Sequence, residues 1–246
     1  MRSFWRVLSA ERLKMSRSYV WVLVIGSPAV AIPIGALANM QEGGQPVTWE
    51  VLLSVMSLFH AMFFLPVLSG VFAALICRAE HADGGWKQLL ALPVTRTSVY
   101  LAKYTMIMAL LAAVQLLFFA AVLGVGALRG VDAPIPWTMF LASIFGGWLA
   151  CMPLAALQLA ISQSWSSFGA PLALNVSLTM PNMLFANSET YGPYDPWLQP
   201  MLAMSPFGEN RFGAFNLPLE SLMTVVLGSL ILFLAAGLLS FRRKAV

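Results

Sequence analysis

Residues 104–128 read YTMIMALLAAVQLLFFAAVLGVGAL, a run without a single charged side chain and with one amide, Gln115. A helix needs about 20 mostly apolar residues to cross the ~30 Å hydrocarbon core of a bilayer. This run is long enough to cross, and too long and too apolar for an ordinary surface helix. Comparable runs fall at 19–39, 51–77, 137–161, 168–186 and 219–241. The chain is 59% hydrophobic and 10% charged, where a soluble domain carries about 25% charged residues. A chain of this length cannot bury that much apolar surface in water. The reading is an all-α integral membrane protein: six transmembrane helices in one domain spanning 1–246. Pro28, Pro33, Pro66 and Pro153 are expected to kink their spans, and Pro171 and Pro181 interrupt the fifth.

Charge fixes the orientation. With the N-terminus inside, segments 1–18, 78–103, 162–167 and 242–246 hold twelve of the 14 Lys and Arg. Only Arg129 and Arg211 fall outside, with seven of the ten acidic residues. Basic residues near span ends resist translocation, so both termini are expected to be cytoplasmic. Five basic residues and a long first run, followed by more spans, lead to the expectation of a first span rather than a cleavable signal. Cys77 and Cys151 lie in apolar stretches and read as small buried hydrophobes.

The sequence lacks the motifs of membrane enzymes: HExxH, GxSxG and CxxC do not occur. No carboxylate lies well inside a span, which argues against proton relays and ion pumping. No Gly-Lys dipeptide occurs, so there is no phosphate-binding loop. The chain is expected to bind no cofactor, metal or nucleic acid and to catalyse nothing by itself; energy for uphill work must come from another polypeptide. The polar groups inside the spans are uncharged: His60, Ser54, Ser57, Gln115, Gln158, Asn175, Ser177, Thr179 and Asn182. They either bond helix to helix or line a weakly polar route, for which His60, Gln115, Gln158, Asn175 and the outer Trp197 are the candidates. Gly146–Gly147 and Gly124/Gly126 allow close helix approach.

Three segments lie outside the spans. Residues 2–17 form an amphipathic interfacial helix, with Phe4, Trp5, Val7, Leu8 and Met15 on one side and Arg2, Arg6 and Ser9 on the other. Segment 187–218 is a long outer loop. In it Leu198, Met201, Leu202 and Met204 are expected to lay a short helix on the outer leaflet, anchored by Tyr194 and Trp197. Segment 79–103, AEHADGGWKQLLALPVTRTSVYLAK, places Trp86, Leu89 and Leu90 at helical spacing after Gly84–Gly85, and Pro93 ends that helix. Physically this amphipathic helix suits either the membrane surface or a groove on a partner.

The order of an acidic residue, Gly84-Gly85-Trp86-Lys87, Leu89-Leu90, Leu92-Pro93, Arg96 and finally Lys103 resembles the coupling loop of ABC type 2 transporter permeases. Ala10-Glu11-Arg12-Leu13-Lys14 before the first span is similar to their opening segment. Tyr194-Asp195-Pro196-Trp197-Leu198-Gln199-Pro200 looks like a Pro-Trp element of the lantibiotic-immunity and bacitracin-resistance permeases. The resemblance implies a bacterial cytoplasmic-membrane exporter subunit for an amphiphilic peptide antibiotic. It implies two ATPase subunits carrying ATP and Mg, and a second copy or a related permease, all within membrane lipid. It gives ATPase-coupling roles to Glu80, Asp83, Trp86, Lys87, Leu89, Leu90, Pro93 and Arg96. Alternatives are export of lipid, polysaccharide or small drugs, or a scaffold that transports nothing.

Overall fold

The computed structural model describes residues 2–16, 18–39, 47–82, 84–185, 188, 190–205 and 219–243. Every regular element among them is helical. Helix α1 (Arg2–Ser16) precedes α2 (Val20–Leu37). Helices α3 (Trp49–Phe59) and α4 (Leu65–His81) form one rod joined by a π-turn, His60–Phe64. Helix α5 (Gly85–Ala91) turns back to α6 (Arg96–Leu128), which α7 (Trp137–Ser164) follows. Helices α8 (Gly169–Thr179), α9 (Asn182–Phe185) and α10 (Gln199–Met204) are short, and α11 (Leu219–Arg243) closes the chain.

Five of these rods are long and apolar enough to cross a membrane: Val20–Leu37, Trp49–His81, Arg96–Leu128, Trp137–Ser164 and Glu220–Arg243. Their starts follow local chemistry. Thr48 caps α3 by accepting from the Val51 N–H at 3.4 Å, and Thr95 caps α6 by accepting from the Ser98 N–H at 3.1 Å. The expected kink in the second span takes a specific form: Pro66 cannot donate to the preceding turn, and the ladder widens to π just before it. The fifth run, expected as a span over 168–186, is not one helix. Its α8 has 11 residues, about 16 Å at 1.5 Å per residue, and stops at Met180–Pro181, where proline has no N–H to continue the ladder.

Helices α6 and α7 form the centre, and α2, α4, α10 and α11 pack around them. Close approach depends on missing side chains. A Cβ at Gly126 would collide with the Trp49 ring, and one at Gly237 with the Tyr100 hydroxyl.

Two expectations about the segments outside the spans change. The segment expected to lie on the outer leaflet is folded into the bundle. Leu198, Met201, Leu202 and Met204 are all buried in protein, and α10 packs on α7, where Ser143 Oγ donates to the Met204 carbonyl at 2.8 Å. Bundle contacts outcompete the bilayer surface because Gly146 and Gly147 open a slot for Ala203 and Met204. Tyr194 is exposed as an anchor requires, but Trp197 points inward to Asn175. Helix α1 packs on α6 along Val7, Glu11 and Met15, so Trp5, 63% exposed, does not share the packed face with Val7.

The C-terminal ends of α1 and α11 meet the same end of the bundle. Lys14 of α1 pairs with Glu80 at the end of α4, and Arg96 bonds the carbonyls of Phe241 and Arg242 at the end of α11.

Candidate functional site

That meeting point is built around the turn between α4 and α5. Helix α4 ends at His81, and Gly84 adopts φ 72°, a conformation that favours glycine because it has no Cβ. Gly85 lies so close to the end of α4 that a Cβ would come within 2.7 Å of the Ala79 carbonyl oxygen. The Gly-Gly pair therefore folds α5 back against α4 and drives Trp86 into the bundle.

Trp86 is buried among groups from three other elements. Its ring packs edge-on against Phe241 of α11, with centroids 5.2 Å apart, and against His81 at 5.7 Å. The Lys103 ammonium sits 5.6 Å from the ring centroid, a favourable cation–π position. The indole Nε1 donates to His81 Nδ1 at 3.3 Å, and His81 Nε2 donates in turn to the Ser162 carbonyl at the end of α7. One side chain thus links α5 with α4, α6 and α11, and through His81 with α7.

Beneath it lies a compact group of four charges. Lys103 Nζ is 3.0 Å from Glu11 Oε1 and 2.9 Å from Glu80 Oε1, and also donates to the Ile76 carbonyl at 3.0 Å. Lys14 Nζ reaches Glu80 at 2.6 Å and Glu11 at 3.3 Å. Glu11 and Lys103 are each 1% exposed and Glu80 is 3% exposed, so two carboxylates share one ammonium group out of water and a second, Lys14, at the exposed edge. For Lys14, burial pulls the pKa down, but the Glu80 hydrogen bond and the charges of both glutamates outweigh it, leaving it above the ordinary value.

The expected coupling residues therefore fall into two sets. Glu80 and Trp86 face inward, Leu89 and Leu90 are half-buried, and Arg96 holds the end of α11. Lys87 and Pro93 face outward, together with Gln88, Ala91 and Leu92. Asp83 lies outside the described residues. Glu11, Lys14, His81 and Phe241 were not singled out as site residues. For Glu11 a signal existed: Val7, Glu11 and Met15 recur every four residues, placing the carboxylate on the buried stripe.

The five candidates for a polar route form two separate clusters. His60 Nδ1 accepts from Ser27 at 2.6 Å, its Nε2 donates to Gln115 Oε1 at 3.0 Å, and its ring stacks on Phe118 at 3.8 Å. Asn175 Oδ1 accepts from Gln158 and from Trp197, both at 2.8 Å, while its Nδ2 donates to the carbonyls of Pro66 and Val67. Gly70 makes room for that amide. Both clusters join helices, and their partners lie within the chain.

The class defined by this arrangement is a multi-pass helical membrane protein in which the ends of α1 and α11 come to the turn between α4 and α6. Residues 7–182, from α1 through the first residue of α9, match the ABC-2 family transporter protein profile, and the chain belongs to that family: it is a membrane permease component of an ABC transporter. Comparison with curated proteins gives no significant match.

Proposed function

We propose that this chain is the permease half of a bacterial exporter in the cytoplasmic membrane, driven by two copies of a separate ATPase that carry ATP and Mg. The permease is completed by a second copy or a related chain. The observation that carries the reading is the convergence of α1, α4, α5, α6, α7 and α11 on Trp86 and the four-charge cluster. Force applied to α5 reaches every long helix except α2 within one layer of contacts. In this reading Lys87, Gln88, Leu92 and Pro93, with Asp83 from the same loop, meet the ATPase. Glu80, Trp86 and Arg96 transmit its movement, and Leu89 and Leu90 seat the helix.

The ends of α1 and α11 lie at the loop end of the bundle, which supports an even number of crossings. Five long helices alone would leave the ends apart. The broken segment 169–185 supplies the sixth crossing, with both termini cytoplasmic as the distribution of Lys and Arg requires. A discontinuous helix is tolerated at membrane depth where protein surrounds it, and Asn175 and Trp197 supply such surroundings.

The cargo we propose is an amphiphilic peptide antibiotic. The resemblance of 194–200 to the immunity permeases supports it, as does an interior whose polar groups are neutral amides and an imidazole. The test is purification of the tagged protein in mild detergent with its bound partners. Wild type is expected to bring down a protein that hydrolyses ATP, Leu92→Asp to lose it, and Trp86→Ala to retain it while uncoupling hydrolysis from cargo. A folded permease with no ATP-hydrolysing partner, even after crosslinking through residue 92, would sink the proposal.

A further inference from the structure

The coupling site leaves one cavity unused, at the turn between α7 and α8. Its volume is about 210 Å³, and its lining includes Arg78, His81, Ser162, Trp165, Ser167 and Phe168. That is room for a phosphate group and not merely one water.

Three features there call for the same kind of occupant. The Arg78 guanidinium is exposed and lies 5.4 Å from the centroid of the Phe168 ring. The ion pairs found among the described residues all belong to the four-charge cluster, so none of them neutralises Arg78. Ser162 is 2% exposed, and its Oγ has no partner, although its carbonyl is taken by His81. A buried hydroxyl without a partner is unusual in a native structure. Helix α8 also begins here, with Ser167 Oγ accepting from the Ala170 N–H at a long 3.4 Å. The positive end of a helix favours an anion.

The rim shows what the anion is attached to. Trp165 and Phe168 are 44% and 37% exposed, and Trp165 is an amphipathic aromatic of the kind enriched at membrane interfaces. Beyond them Ala173, Val176 and Met180, spaced three and four residues apart, expose an apolar face along α8. A small anion in water has no use for that track, whereas an anion carrying acyl chains does.

We propose that this cavity binds the phosphate of an anionic phospholipid of the cytoplasmic leaflet, paired with Arg78 and hydrogen-bonded by Ser162, with its chains along α8. The proposal rests on the membrane orientation given above but not on the ATPase, so its failure leaves the permease reading intact.

The protein in neutral detergent is titrated with short-chain phosphatidylglycerol, phosphatidylcholine or inorganic phosphate, and bound lipid is counted by native mass spectrometry. Phosphatidylglycerol is expected to bind more tightly than phosphatidylcholine and to resist competition by inorganic phosphate. Arg78→Gln weakens it about tenfold, the loss expected for one charge-assisted hydrogen bond. Ser162→Ala weakens it less, and Arg243→Gln not at all. Equal binding of the two lipids, or no effect of Arg78→Gln, makes the lipid ordinary annular lipid and overturns the proposal. Displacement by inorganic phosphate at equal concentration makes it a free-anion site and overturns the lipid source. A phosphatidylglycerol with a photoreactive headgroup gives an independent reading on wild type: labelling must map to residues 162–171, and labelling elsewhere rejects the site.

Discussion

The loop end of the bundle and its middle are both held by buried polar groups, but of different kinds. At the loop end Glu11, Glu80, Lys14 and Lys103 concentrate four charges in one cluster. In the middle, His60–Ser27–Gln115 and Gln158–Asn175–Trp197 use neutral groups only. A buried charge stranded without its partner is far more costly than a stranded amide. The charged cluster is therefore bound to move as one body, while the neutral clusters can exchange partners during a transport cycle. Under the proposed function the rigid part would take the push of the ATPase and the exchangeable part would border the cargo route.

Removing the central ammonium should produce the largest effect. Lys103→Met leaves the buried Glu11 and Glu80 with only the partly exposed Lys14 between them, and destabilisation of about 3 kcal/mol is expected, read as loss of folded protein on titration with a denaturing detergent. Replacing Glu11, Glu80 and Lys103 together by apolar residues should recover most of that loss. If the single variant unfolds no earlier than wild type, the two regions do not differ as described. Asn175→Val comes next. It strands the Trp197 indole and the Gln158 amide, at about 1–2 kcal/mol, since hydrogen bonds between membrane helices are individually modest. Its distinctive consequence is local: 190–205 loses its tether to α8 and should be cleaved faster by protease, while the loop end keeps its protection. Gly84→Ala should cost about 1 kcal/mol, because alanine is strained at φ 72°. It should also weaken ATPase co-purification, because the strain falls on the turn that aims α5.

The contrast also explains what the sequence made legible. Apolar runs located all five long helices, because span length and hydropathy are properties of the segment alone. The loop 79–103 was legible for a similar reason: Gly84–Gly85, Trp86 and Pro93 act within a dozen residues. What stayed hidden depends on partners far along the chain. Lys103 reads as a basic residue at a span end until α1 brings Glu11 to it from 92 residues away. The apolar face of α10 suits a leaflet or a protein slot equally well. Only the positions of Gly146 and Gly147 on α7 decide for the slot, and no periodicity within 199–204 records them. Pro181 announced an interruption, but not that Asn175 would bond α4 just before it.

The smallest expected effect separates the two lysines that share the same carboxylates. Lys14 is 37% exposed at its side chain and Lys103 only 2%, so water screens the first and not the second. Lys14→Gln should cost less than about 1 kcal/mol, the range of solvent-exposed pairs. Its pH dependence follows from the raised pKa. The folded state holds the Lys14 proton more tightly than the unfolded chain, so its contribution is complete below the ordinary 10.5 and disappears as pH rises through the higher folded value. Between pH 7 and 9 the stability difference between wild type and Lys14→Gln should therefore be constant, measured by thermal unfolding in detergent. A difference that shrinks within that range would mean Lys14 loses its proton near neutrality. The loop-end cluster would then be a titrating element rather than a fixed one, and the distinction from the neutral middle of the bundle would fail.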